Sequence, residues 1–410
     1  MAQTWVGDYI RLAFRIDKAF QGVGDGPFVD SYYGPTDVRD SAVQEPEETP
    51  VDLVAAARAL RDSLPSQGFD QQRAGLLSRQ VRAMEVFCRK LAGQDHVLQD
   101  EIQQCLDVLP VWKPDAEFEQ ALALLSEALP GGGDVRERFR TLQERTVLPS
   151  DRPEFVEQLM HRLLDEARRR TQQFVELPAE EAVEVCTVRE KSYGAANWYL
   201  GGYRSRLELN IGRPIHLFGL LYQMCHECYP GHHTEFALKE KHLYHDRGYL
   251  EQSVFIPGPQ LVISEGIASL AQEMIFTPEE IAHWITEQVD PQLGGKIDGV
   301  DLVKLIRAFS ASALDDLGNN LVMMLWEGRS EAEIVAYALK YTPYPEEYIR
   351  PFFQSLKSPL RQVYAFTYAQ GKRLMAPLLQ GDDRTQVFRR LLTEPVYPSL
   401  LAEWAVKVGE

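Results

Sequence analysis

The chain has little cysteine, five residues in 410, and the count is odd. So sparse a supply excludes a disulfide-stapled secreted scaffold, and a reducing cytoplasm is the simplest compartment that fits it. Long apolar runs are missing as well. The first twenty residues, MAQTWVGDYIRLAFRIDKAF, are interrupted by Asp8, Arg11, Arg15 and Asp17, and read as an amphipathic helix instead of a signal peptide. No other segment approaches the roughly 18 apolar residues of a membrane span. Positive charge is in deficit, with 43 Lys and Arg against 60 Asp and Glu and a formal net charge of -17. A surface of that sign repels phosphate backbones and anionic headgroups, so neither nucleic acid nor membrane is an expected partner. The glycines of QGVGDGPFVDSYYGP (21–35) have no strand before them and no Lys-Ser/Thr after them, which makes the segment a connector and not a phosphate loop.

What is present is the composition of a globular protein, 45% apolar and 25% charged, long enough to bury a substantial core. Residues 1–178 read as helices joined by short loops and are expected to form one wall of a cleft. Asp134, after LPGGG, is placed to cap a helix, and Asp151-x-x-Glu154 with Pro153 marks the start of another. Residues 179–410 are expected to carry the site. There EAVEVCTVRE (181–190) and YRSRLELNI (203–211) are β-branched or alternating, hence strands, with Gly201-Gly202 in a turn before the second. A helix follows from about 215, and Thr277-x-x-Glu280 and Ser330-x-x-Glu333 are capping boxes. The expected fold is mainly α with a small antiparallel or mixed sheet, an α+β arrangement.

Histidine is also scarce, yet six of the nine fall between residues 216 and 245. Three stand in Cys225-His226-Glu227-Cys228-Tyr229-Pro230-Gly231-His232-His233. Zinc takes imidazole nitrogens and carboxylate oxygens in a tetrahedron, with one position open when the site is catalytic. In H-E-x-x-H one helical turn brings two imidazoles to one face and sets the Glu beside the water to be activated. Here the second His should be residue 230, which is Pro. Pro230-Gly231 predicts a bulge or break after Tyr229, with His232 taking the place of the second ligand. Were the helix only kinked, His233 would return to the azimuth of His226, but about 10 Å further along the axis. His232 is therefore preferred and His233 is the alternative.

The third ligand has to come from another segment. In LVISEGIASLAQEM (261–274) Glu265 stands in an apolar stretch, where a buried carboxylate needs either a metal or an ion pair. After H-E…G-H-H, the metal is the better explanation.

HECYPGHH, the later SEG and the C-terminal YAFTYAQGKRLM (364–375) together resemble the signatures of the bacterial DUF885 family, over roughly residues 180 to 380. Its members are similar to gluzincin zinc peptidases, and the resemblance implies a zincin-like helical metallopeptidase. It implies His226, His232 or His233, and Glu265 as zinc ligands, with Glu227 as general base, and it brings Tyr368 near the site as a candidate oxyanion donor. Ile267 departs from the family pattern, which usually has an aromatic there. The expected reaction is hydrolysis of a peptide substrate, with YRSRLELNI as an edge strand able to pair with it. Two other readings stand beside it: a non-catalytic zinc-binding helical scaffold, and a thiol redox protein using Cys225-x-x-Cys228.

Overall fold

The computed structural model describes residues 4–22, 27–94, 96–191, 193–310 and 316–408. The apolar spacing at the start of the chain makes the helix Trp5–Gly22, which buries Tyr9, Ile10, Ala13, Ile16 and Phe20 on one face. Helices begin where side chains can serve their first amides. Asp134 accepts from the N–H groups of Arg136 and Glu137, and Thr277 and Ser330 each close a capping box with the Glu three residues on. Asp151 does not act this way. The helix there runs Pro153–Thr171 from Arg152 with no side-chain cap; Pro153 at its first position removes one amide that would need a partner, and the Phe155 N–H turns to the Arg152 carbonyl.

The described residues are mainly helical with two small sheets. The paired segments β1 (Ser31–Tyr32) and β5 (Val254–Phe255) are antiparallel. The larger sheet holds β2 (Ala182–Val188), β3 (Ala195–Gly201) and β4 (Arg204–Asn210) in the order β2-β4-β3, with β2 parallel and β3 antiparallel to β4. Both strands expected from the sequence are there, and β3 is an addition to them. It reaches β4 through Gly201, Gly202 and Tyr203, all at positive φ (75°, 61° and 62°). This addition corrects one expectation. YRSRLELNI is the central strand, hydrogen-bonded on both sides, so it cannot be the edge that receives an extended peptide; among the described residues β2 and β3 are the edges.

Two large apolar clusters hold the fold, and neither divides at residue 178. One joins the N-terminal helices to residues 317–366 and to Val254, Ile256 and Val262. The other packs Val156, Leu159, Met160 and Leu163 of the Pro153–Thr171 helix against β4 and the helices Leu217–Glu227 and Pro259–Ile275. The helix Pro259–Ile275 touches both clusters and is buried almost all round, enclosing Gln260, Ser264, Glu265 and Ser269 among its apolar residues. Glu265 lies in the middle of it.

Candidate metal centre

Leu217, Leu220, Leu221, Met224 and Cys225 bury one face of the helix Leu217–Glu227, and His226 closes its last turn at 7% exposure. The helix stops at Cys228 and a cis Tyr229–Pro230 peptide follows. The chain resumes as the helix His232–Lys239. Backbone bonds stitch the break: the Gly231 N–H donates to Cys225 O at 3.0 Å and the Thr234 N–H to Cys228 O at 3.1 Å. Only glycine fits between them, because a Cβ at residue 231 would stand 1.9 Å from the carbonyl oxygen of His226. The interruption folds His232 back onto His226, with ring centroids 4.8 Å apart and planes at 89°.

Glu265 meets this pair from the helix Pro259–Ile275. Its Oε2 lies 3.4 Å from His226 Nε2 and 3.8 Å from His232 Nε2. One ligand atom from each of the three residues lies within 4.8 Å of the others. The carboxylate is 2% exposed; Oε1 accepts from the Tyr364 hydroxyl, whereas Oε2 has no hydrogen-bond donor of adequate geometry among the described residues. Burial acts to raise the pKa of Glu265, but the adjacent His226 and His232 imidazoles, when protonated, outweigh it and hold the carboxyl below its ordinary range.

The ring of His232 is oriented from behind. Ser264 donates its hydroxyl proton to Glu235 Oε2 (2.5 Å), so its oxygen is left to accept from His232 Nδ1 at 3.0 Å. That places the ring proton on Nδ1 and leaves Nε2 of the neutral imidazole with its lone pair directed at the cluster. Glu235 is itself paired with the buried Lys239. Two imidazoles and a buried carboxylate oxygen without a donor are the N and O set that zinc accepts, and the residues present fit such an ion.

His233 points elsewhere. It is fully buried, Nδ1 meets Ser205 Oγ of β4 at 2.8 Å and Nε2 meets Glu181 Oε2 at 2.9 Å. With both nitrogens engaged it has none for the cluster, and the alternative ligand of the sequence reading is corrected accordingly. Glu181 also takes Arg168 and the Tyr229 hydroxyl.

Glu227 is the last residue of its helix and half-buried. Its carbonyl accepts from Asn197 of β3, while its carboxylate makes no hydrogen bond or ion pair among the described residues. Tyr368 stacks over His226, centroids 6.1 Å apart and planes at 21°, close enough for the charge of Glu227 to act on its hydroxyl. Burial first, then the charge of Glu265, pushes Tyr364 and Tyr368 well above the ordinary tyrosine value, so both remain proton donors at neutral pH.

Two glycines bring this tyrosine pair in. A Cβ on Gly266 would lie 2.8 Å from the carbonyl carbon of Gly371, and one on Gly371 would lie 2.4 Å from Val262 O. The helices Pro259–Ile275 and Thr367–Met375 therefore cross in backbone contact, where any larger residue would force them apart. Glu265 precedes one glycine and Tyr368 stands three residues before the other. Ser264, Glu235 and Tyr364 were not anticipated. Tyr364 had a signal, since it lies four residues before Tyr368; Ser264 and Glu235 had none, because their role depends on how two helices pack.

The two motif cysteines are fully buried and unpaired by disulfide, and burial raises both thiols, the reverse of the shift a reactive redox thiol needs. No helix among the described residues is long and apolar enough to cross a membrane.

No protein-family profile matches the chain, and no curated protein matches it. Among solved structures it is similar to a protein of Colwellia psychrerythraea, with a TM-score of 0.54 and 17% identity. It is also similar to one of Shewanella oneidensis of unknown function, with a TM-score of 0.51 and 11% identity. Both are described as a "putative lipoprotein". Each match covers 87% of this chain, and it spans 66% and 72% of theirs. At these identities the likeness concerns the fold.

Proposed function

We propose that the chain is a zinc-dependent metallohydrolase acting on peptide bonds, of the gluzincin-like kind that its DUF885 signatures suggest. The observation that carries the reading is the buried convergence of His226, His232 and Glu265, with a Glu265 oxygen that no donor among the described residues reaches in good geometry. In this reading the three residues hold zinc, which when bound supplies Lewis acidity toward a carbonyl and toward water. Glu227, whose carboxylate no described residue engages, takes a proton from water beside the cluster and delivers it to the departing amine. Tyr368, kept protonated by burial, donates to the oxygen on which charge develops at the attacked carbon. Ser264 holds the imidazole of His232 in the tautomer that leaves Nε2 available. Asn197 ties the carbonyl of Glu227 to β3, an edge strand beside the site, which makes β3 the candidate to align an extended substrate in place of β4. The cytoplasm is the proposed compartment, on the strength of five free cysteines.

Metal analysis and a peptide digest test this together. Purified protein should carry close to one zinc per chain, and His226→Ala or Glu265→Ala should lose most of it. Mass spectrometry of a peptide mixture incubated with zinc-loaded protein should show new termini that His226→Ala does not produce. Full zinc retention in Glu265→Ala removes that residue from the ligand set, and zinc without any cleavage leaves a binding scaffold.

A further inference from the structure

Next to the cluster lies a cavity of about 460 Å³. Its walls are chiefly apolar, with Phe139, Leu142, Phe218, Ile306 and Phe309 among them. None of the three cluster residues lines it, but the helices that carry them do. Tyr222 lies one turn before His226, and Ser269 one turn after Glu265. Lys372 lies one turn after Tyr368. Residues four apart share a helix face, so the cavity continues the faces that build the site. Tyr222 forms the join, its ring 5.5 Å from that of His226.

Two details point to a ligand. Ser269 is 5% exposed, lines the cavity, and its hydroxyl has no hydrogen-bond partner among the described residues. Gly219 stands in the first turn of a helix, and beyond its chain neighbours and the helix's own backbone no atom of the described residues lies within 4 Å of where its Cβ would be. No close approach requires a glycine at that position; its effect is to keep that side of the cavity clear. The volume falls within the roughly 300–1,000 Å³ of small-molecule pockets, and the wall, like theirs, is mainly apolar, with His216, Glu273 and Lys372 among its polar members.

We propose that this cavity is the specificity pocket of the site. It takes one large apolar group of the ligand, an aromatic or branched aliphatic side chain when the ligand is a peptide, while the ligand's polar part lies at His226, His232 and Glu265. The peptide part of this assignment rests on the metallohydrolase reading; the pocket itself does not.

Two measurements separate them. Saturation-transfer NMR with toluene and p-cresol should show binding to the wild-type chain, with or without zinc, weakened about tenfold or more in Gly219→Leu and in Ser269→Leu, because a pocket discriminates by fit. Zinc content and thermal midpoint identify a variant that has failed to fold, and Gly219→Leu, placed in open space, is the safer of the two. In the digest, wild type should favour peptides with Phe, Leu or Ile at one fixed position from the cut, and Gly219→Leu should reduce the ratio of Phe to Ala at that position. No probe binding, or binding unchanged in both variants, overturns the pocket even if peptides are cut. Cleavage with no side-chain preference overturns it as a specificity pocket and leaves the hydrolase standing. Probe binding that the variants abolish, with no peptide cut, supports the apolar pocket and rejects the hydrolase.

Discussion

Two histidine–glutamate pairs start from adjacent residues at the head of one helix, and their surroundings differ in kind. His233 faces Glu181, which also takes Arg168 and the Tyr229 hydroxyl, and its other nitrogen meets Ser205. Every strong donor and acceptor in that network is matched, and an arginine balances the carboxylate. His232 faces Glu265, which has a second imidazole and a tyrosine hydroxyl beside it but no Lys or Arg ion pair among the described residues. The first pair is a finished buried network of the sort that fixes a helix against a sheet. The second has an oxygen without a donor among the described residues and an imidazole nitrogen held toward it, an arrangement that a cation would complete. Burial alone does not separate a structural histidine from a ligand, since both are buried. The count of satisfied groups does.

The sharpest way to break this comparison is to remove the proposed base without touching either pair. Glu227→Gln keeps the shape of the side chain and loses the ability to accept a proton. Peptide turnover should fall by about two to four orders of magnitude, the range for a lost general base, with zinc content and thermal midpoint near wild type. Zinc loss as severe as in His226→Ala would make Glu227 a ligand, and retained turnover would assign the base elsewhere.

Ser264→Ala acts one step behind the ligand. It removes the oxygen that orients His232 Nδ1, and zinc affinity measured by competition with a chelator should weaken about 10- to 100-fold, as for other groups that orient a ligand. Unchanged affinity would mean that the hydroxyl does not set the ring.

The adjacent histidines themselves give the smallest and most specific contrast. His232→Ala should lose zinc with little change in the stability of the zinc-free protein. His233→Ala should keep zinc and lose about 1–3 kcal/mol in denaturant unfolding of that zinc-free form, because Glu181 is left one partner short while Arg168 and Tyr229 still serve it. Greater zinc loss in His233→Ala than in His232→Ala would reverse the assignment of the two residues.

Local chemistry made much of this protein legible in advance. Helical spacing marked Trp5–Gly22 and the helix Leu217–Glu227, capping boxes marked the starts at Thr277 and Ser330, and alternation marked β2 and β4. Pro230-Gly231 announced the break, because proline and glycine act on the backbone wherever they stand. β3 escaped because AANWYLG has neither clean alternation nor a β-branched run. Without β3, β4 was taken for an edge, and only strand pairing could show which of its sides was covered.

Which histidine turns to Glu265 and which to Glu181 was open in the sequence, since HH is the same residue twice. The packing of the His232–Lys239 helix between β4 and the glutamate helix decided it, by setting Ser264 behind one ring and Ser205 behind the other. The chain by itself determined the residue types able to hold a metal and the point at which the helix must break, because both depend on side-chain chemistry and on local backbone sterics. Tertiary structure alone decided which of those residues meet. Tyr364, 99 positions from Glu265, reaches it only because of the Gly266–Gly371 crossing, and no local pattern carries the distance between two helices.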